Sequence, residues 1–297
     1  MEQVRRGPRL EPSRRVAPVR LTQTQFNRLV ERLGPVVATA APTLDRLFQV
    51  IGSVGGCVIL TSDQGIPVDR RGNSAHDRDF QDDGLWTGTN WSEAAAGTNG
   101  IGTCLAVGRA VTIHRDQHFL PANMGLSCPS APVCDAEGQL VAVLDVSTAL
   151  AETGEALAGL IAHAVSEAAR WIEGDLFQAA FPKARLLMPP GGGRVQGGIL
   201  AVDSDELVIG TTRAARLHFG LKGDLGKKAV PAADLLGLEA PATPEAGERA
   251  AMARAMARAL GISRATFHRK LGRPGHGLPP PMPAHDAIVV QRISRFT

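Results

Sequence analysis

Apolar residues along the chain fall first into a helical rhythm and then into the pattern of strands. From Thr22 to Gly52 they recur every three or four residues (Phe26, Leu29, Val30, Leu33, Val36, Val37, then Leu44, Leu47, Phe48, Ile51). Ala41-Pro42 interrupts that run, so two helices are predicted. Gly56–Thr61 is a short apolar run closed by Asp63-Gln64-Gly65, the signature of a buried strand and its turn. Arg109–His114 and Pro132–Cys134 read as further strands, Asp135-Ala136-Glu137-Gly138 as a turn, and Leu140–Val146 as a central strand. A long amphipathic helix is expected over Ala149–Ala180, with Leu157, Leu160, Ile161, Ala164 and Val165 on one side.

Helix pair, antiparallel strands and closing helix predict an α+β domain over about 21–182. Residues 1–20 hold Arg5, Arg6, Arg9, Arg14, Arg15 and Arg20 with three prolines, and read as a disordered basic arm. Pro189-Pro190-Gly191-Gly192-Gly193 marks a linker over 183–196. Between 197 and 238 a strand-turn-strand pattern (Ile199–Val202, Asp203–Asp205, Leu207–Ile209) precedes a helix over Thr212–Phe219. That stretch is too short for a full domain. A helical block follows at 244–273, then a Pro-rich tail at 274–297.

Composition sharpens this outline at a few points. With 44% hydrophobic residues in 297, a sizeable core can form. Aromatic residues are only 4% and Tyr is absent, which argues against a base-stacking or sugar-stacking surface. The net charge of +3 is modest, but from Arg249 to Arg273 there are seven Lys or Arg and no Asp or Glu. Such a block suits an anionic partner. Cys57, Cys104, Cys128 and Cys134 form no CxxC pair, so reduced thiols in the cytoplasm are expected. No apolar window is long enough to suggest a membrane span.

Within the basic block, Gly261 stands where a left-handed residue can end an Ala-rich helix, and Ser263 can cap the next one. Phe267 and Leu271, four apart, face inward with Ile262. Ser263, Arg264, Thr266, His268, Arg269 and Lys270 are then the candidate DNA-contacting residues, reaching phosphates or base edges. LGISRATFHRKL resembles the Fis-type helix-turn-helix that ends bacterial enhancer-binding regulators. Ala251-Met252 stand where that family carries a Gly-Asn turn, and Glu245–Leu260 reads as one helix.

The densest chemistry lies upstream, in Trp91-Ser92-Glu93, Gly97–Thr103 (GTNGIGT), Ile113-His114 to His118-Phe119, Ser127–Pro132 (SCPSAP) and Val143–Ser147 (VLDVS). Thr98, Asn99 and Thr103 offer hydrogen bonds near a helix start, and Trp91 gives an apolar wall with one donor. These motifs resemble the GAF sensor domain of AcoR-type (acetoin-regulator-like) transcriptional activators. The resemblance implies an antiparallel sheet flanked by helices, followed by a short PAS-like fragment and the helix-turn-helix. It also implies a small-molecule effector, an alcohol, aldehyde, ketone or diol. The ligand-binding residues expected on it are Trp91, Glu93, Thr98, Asn99, Thr103, His114, His118 and Cys128.

Other chemistries fare worse. Gly100-Ile101-Gly102 fails the dinucleotide fingerprint at Leu105. His114, His118, Cys128 and Cys134 match no zinc spacing. Glu93 and Asp145 lack a nucleophile-base constellation, so no catalysis and no cofactor are expected. The central ATPase of such activators needs a phosphate loop. Gly226-Lys227 comes closest, but Leu221 replaces the first glycine and Lys228 the hydroxyl. The expectation is therefore a homodimeric, DNA-binding regulator that senses a metabolite without its own ATPase and acts through DNA, RNA polymerase or a larger regulator. Two readings remain beside it: an interaction protein that modulates a sigma-54-type regulator without touching DNA, and a thiol reductase using Cys104 and Cys128.

Overall fold

The computed structural model describes residues 19–74, 77–82, 84–148, 155–188, 198–221 and 230–236. The candidate DNA-binding residues Ser263, Arg264, Thr266, His268, Arg269 and Lys270 lie outside them, as do the basic arm up to residue 18 and the Pro-rich tail. The chain divides into two units, 1–176 and 177–297.

The first unit opens with α1 (Gln23–Ile51). Thr22 caps it, accepting from the Gln25 backbone while the Gln25 side chain answers to the Thr22 N–H. The two helices expected here are one. Pro35 and Pro42 both sit inside it, seven residues apart and therefore on one side, the exposed one. Glu31 and Ala38, whose carbonyls lose a partner four residues before each proline, are exposed residues on that same side. Leu29, Leu33, Ala40, Leu44, Leu47 and Ile51 form an unbroken buried stripe opposite, and burying it outweighs two missing bonds.

Strands β1 (Gly56–Ser62), β2 (Pro67–Arg71), β3 (Val111–His114), β4 (Ser127–Cys134) and β5 (Leu140–Thr148) form one antiparallel sheet in the order β2-β1-β5-β4-β3. Strand β4 begins five residues earlier than the sequence pattern suggested, because Pro129 and Pro132 mask an otherwise regular pairing with β5. Alternate residues serve opposite faces. Val58, Leu60, Ala131, Val133, Ala142, Leu144 and Val146 pack against α1 and against α5 (Glu155–Ala180). The stripe α5 presents is Ile161, Val165, Ala168, Ala169 and Ile172. Leu160, assigned to that side from sequence, is 68% exposed, since a one-residue step turns a helical position by about 100°.

The other face carries Cys57, Ile59, Cys128, Ser130, Asp145 and Ser147. Over it lie α2 (Asp77–Asp82), α3 (Glu93–Ala96) and α4 (Gly100–Val107) with their loops, contributing Phe80, Leu85, Trp91, Ala96, Ile101 and Leu126.

In the second unit, β6 (Arg185–Leu187), β7 (Leu200–Val202), β8 (Leu207–Thr211) and β9 (Val230–Pro231) form an antiparallel sheet in that order. The presence of β6 corrects the reading of 183–196 as linker throughout: Leu186 and Leu187 pair with β7 before the Pro/Gly stretch begins. Thr212 caps α6 (Arg213–His218), and α7 (Ala232–Leu236) closes a small core of Leu200, Val202, Val208, Ala215 and Ala232.

Candidate functional site

The floor of the site follows from strand register. Ile59 faces Asp145, which faces Ser130; Cys57 faces Ser147, whose neighbour on β4 is Cys128. Directly opposed residues share a face, so these polar groups gather over the middle of the sheet. Asp145 is buried and accepts from the Ser130 hydroxyl at 2.5 Å through one oxygen and from Ser147 at 2.8 Å through the other. Burial pushes its carboxyl up from 3.8 to about 6, and the two serine hydroxyls pull it back only in part. Burial likewise drives the Cys57 thiol up to about 12 and that of Cys128 well above 9.0, so neither is a thiolate near neutrality.

The wall opposite comes from the glycine-rich loop into α4. Asn99 caps that helix: its Oδ1 accepts from the Gly102 N–H at 2.8 Å, while its Nδ2 donates to the Trp91 and Gly97 carbonyls. The Trp91 ring is buried and its Nε1 donates to the Gly84 carbonyl at 2.9 Å. Two glycines are dictated by this packing. A Cβ on Gly100 would stand 2.5 Å from Ser130 Oγ and 2.6 Å from the Cys128 carbonyl, so α4 rests directly on β4. Gly97 has φ +65°, and a Cβ there would overlap the Phe119 ring.

His118 closes the third side. Arg115 adopts φ 48°, unusual for a residue with a side chain, and its carbonyl accepts both the His118 backbone N–H and Nδ1, each at 3.0 Å. A carbonyl can only accept, so Nδ1 carries the ring proton and Nε2 holds a lone pair. Burial lowers the His118 pKa, which keeps the ring neutral. Nε2 is buried and has no hydrogen-bond partner.

Between floor, wall and His118 lies a small cavity, lined by Leu85, Trp91, Asn99, Gly100, Ile101, His118, Leu126, Cys128, Asp145 and Ser147. Of the eight residues singled out from sequence, it brings together Trp91, Asn99, His118 and Cys128. The other four stand apart. Glu93 is exposed and accepts from Thr103 Oγ1 at 2.6 Å, tying α3 to α4. Thr98 is exposed, its carbonyl accepting from Phe119 N–H, and His114 ends β3 with its N–H on Gln117 Oε1. Asp145, weighed from sequence only as a catalytic group, and Ser147 join them; two polar residues alternating with Leu144 and Val146 in a buried strand are the signal that marks both. Among the described residues no three His, Cys, Asp or Glu side chains gather to hold a metal, and no helix is long and apolar enough to cross a membrane.

With this geometry in place, the likeness to known proteins takes on meaning. The chain is 33% identical over 232 residues to the acetoin catabolism regulatory protein of Cupriavidus necator, covering 77% of this chain and 34% of that protein. It is 28% identical over 185 residues to MimR, the propane 2-monooxygenase operon transcriptional activator of Mycolicibacterium smegmatis, covering 59% of this chain and 30% of that one. It thus spans about a third of the length of these relatives. The crystal structure of the E. coli DhaR(N)–DhaL complex shares its fold at a TM-score of 0.53 and 13% identity, over 76% of each chain. The sequence profile of the MimR N-terminal domain matches residues 13–169, more than half of the chain, and the chain belongs to that family.

Proposed function

We propose that this chain is a transcriptional regulator that binds a small metabolite in the cavity over β4 and β5 and contacts DNA through the segment containing Ser263, Arg264, Thr266, His268, Arg269 and Lys270. The observation that carries the sensing half is the buried, unpartnered Nε2 of His118 at a cavity within the family-matched region. A buried acceptor without a partner is costly, and a ligand that donates to it recovers that cost. The relatives' regulatory names support the other half, together with the basic block at Arg249–Arg273. On this reading the chain is not an enzyme: the thiols on the cavity floor are held protonated by burial. It works in the cytoplasm, as a homodimer, with RNA polymerase or a larger regulator as its protein partner.

The test is DNA binding by the full chain to the region upstream of its own operon, followed over a range of salt. Arg264→Ala with Arg269→Ala is expected to weaken binding and to flatten the slope of log K against log salt by about one to two. A full chain that protects no upstream site overturns the DNA-binding half. Failure of every small alcohol, aldehyde, ketone and diol to raise its melting temperature overturns the sensing half.

A further inference from the structure

Residues 19–21 belong to no helix or named strand, yet they are tied down. The Leu21 N–H donates to the Gly88 carbonyl at 2.9 Å, and the Asn90 N–H donates to the Val19 carbonyl at 2.7 Å. Arg20 forms an isolated antiparallel bridge with Thr89, and its Nη2 donates to the Gln81 carbonyl of α2 at 3.2 Å. Leu21 leads into Thr22, the cap of α1, and the fourth residue of that helix, Phe26, lies over Gly88, 3.6 Å from where a Cβ would stand. Val19–Leu21 is thus a strap laid along the edge of segment 84–91. The same segment walls the cavity: Leu85 and Trp91 line it, and the Trp91 indole N–H donates to the Gly84 carbonyl. The Trp91 carbonyl in turn accepts from Asn99, the cap of α4. Asn90, which holds Val19, is the chain neighbour of Trp91. The strap's two backbone bonds end on residues 88 and 90, so its docking depends on how that one segment is set.

We propose that Val19–Leu21 is a releasable strap coupled to the cavity wall. A change in the set of segment 84–91 loosens the strap, and loss of the strap's hold loosens the wall in return, because coupling between two equilibria is reciprocal. As a regulatory device it rests on the cavity being the sensor site; the coupling itself is read without ligand. Whatever steadies the wall steadies the strap, and the reverse. In sequence the strap is preceded by Arg5, Arg6, Arg9, Arg14 and Arg15, so its docking sets the point from which that charge is tethered. Release moves that point to Thr22 and lengthens the tether by about 10 Å of extended chain.

The experiment is hydrogen exchange followed by NMR in the full chain. The Leu21 N–H reads the strap, the Trp91 indole N–H reads the wall, and the Leu144 N–H in the central strand β5 reads global unfolding. Trp91→Phe keeps an aromatic ring but removes the bond to Gly84, and is expected to speed exchange at Leu21 at least tenfold more than at Leu144. Arg20→Ala removes the bond to Gln81 at an exposed position, and is expected to speed exchange of the Trp91 indole at least threefold with Leu144 unchanged. Leu160→Ala, exposed on the far side of the sheet, should move neither. If Trp91→Phe does not fold, Leu85→Val takes its place. Acceleration in both directions supports the coupling. Exchange at Leu21 that rises only in step with Leu144, or an indole unmoved by Arg20→Ala, overturns the strap and leaves the sensor reading standing. A coupled strap in a chain whose melting temperature no small metabolite raises overturns the sensor reading alone.

Discussion

The two faces of the five-stranded sheet are built from alternate residues of the same strands, yet one is sealed and the other is equipped for chemistry. Towards α1 and α5 the strands present Val58, Leu60, Val133, Leu144 and Val146, all hydrocarbon. Towards α4 the neighbouring positions are Cys57, Cys128, Ser130, Asp145 and Ser147. The first face supplies stability through area removed from water; the second carries a buried carboxylate and an orphaned imidazole nitrogen, which cost stability. Such a division places the cost where a ligand can offset it.

The largest effect should come from the sealed face. Leu144→Ala is expected to destabilise the chain by about 4 kcal/mol in urea unfolding, since a fully buried leucine leaves a cavity behind. A loss under about 1 kcal/mol would mean that this face is not the packed core. On the other face, Asp145 is expected to work against stability near neutral pH. Its folded pKa of about 6 lies above the ordinary 3.8, so the native state holds the proton more tightly. Stability from this group is therefore highest below about pH 4 and falls as pH rises through about 6, by about 3 kcal/mol. Asp145→Asn should gain on the wild type by that amount between about pH 4 and about pH 7.5. A difference that does not vary with pH would show the carboxylate to be solvated or paired.

The face contrast was half legible in the sequence. The apolar alternation of β5 and the helical stripe of α1 were plain, and the motif-rich segments pointed to Trp91, Asn99, His118 and Cys128. Asp145 was set aside because a carboxylate is judged by its partners, and Ser130 reaches it only through pairing of strands fifteen residues apart. The role of His118 depends on a left-handed Arg115, a conformation that residue type does not announce. Pro42 misled in the opposite direction, since propensity ends a helix there while tertiary burial carries it through.

Smaller effects sharpen the comparison at its edges. Gly100→Ala should cost about 2 kcal/mol, because the added methyl meets the Cys128 carbonyl, a backbone atom with little room to yield. It should weaken ligand binding as well, as α4 lifts from β4. A neutral result in both assays would mean that α4 is not seated on the floor. Leu160→Ala, on the exposed side of α5, should change stability by no more than about 0.5 kcal/mol. A loss above about 1 kcal/mol would reveal a surface covered in solution.

The most direct measurement is the side-chain nitrogen spectrum of His118 in the uniformly labelled full chain, titrated with the small metabolite that most raises its melting temperature. The account predicts a neutral ring protonated on Nδ1, whose Nε2 resonance alone moves towards the hydrogen-bonded range as ligand saturates. An Nε2 resonance that stays unmoved at saturation, or a proton found on Nε2 before ligand is added, would contradict it.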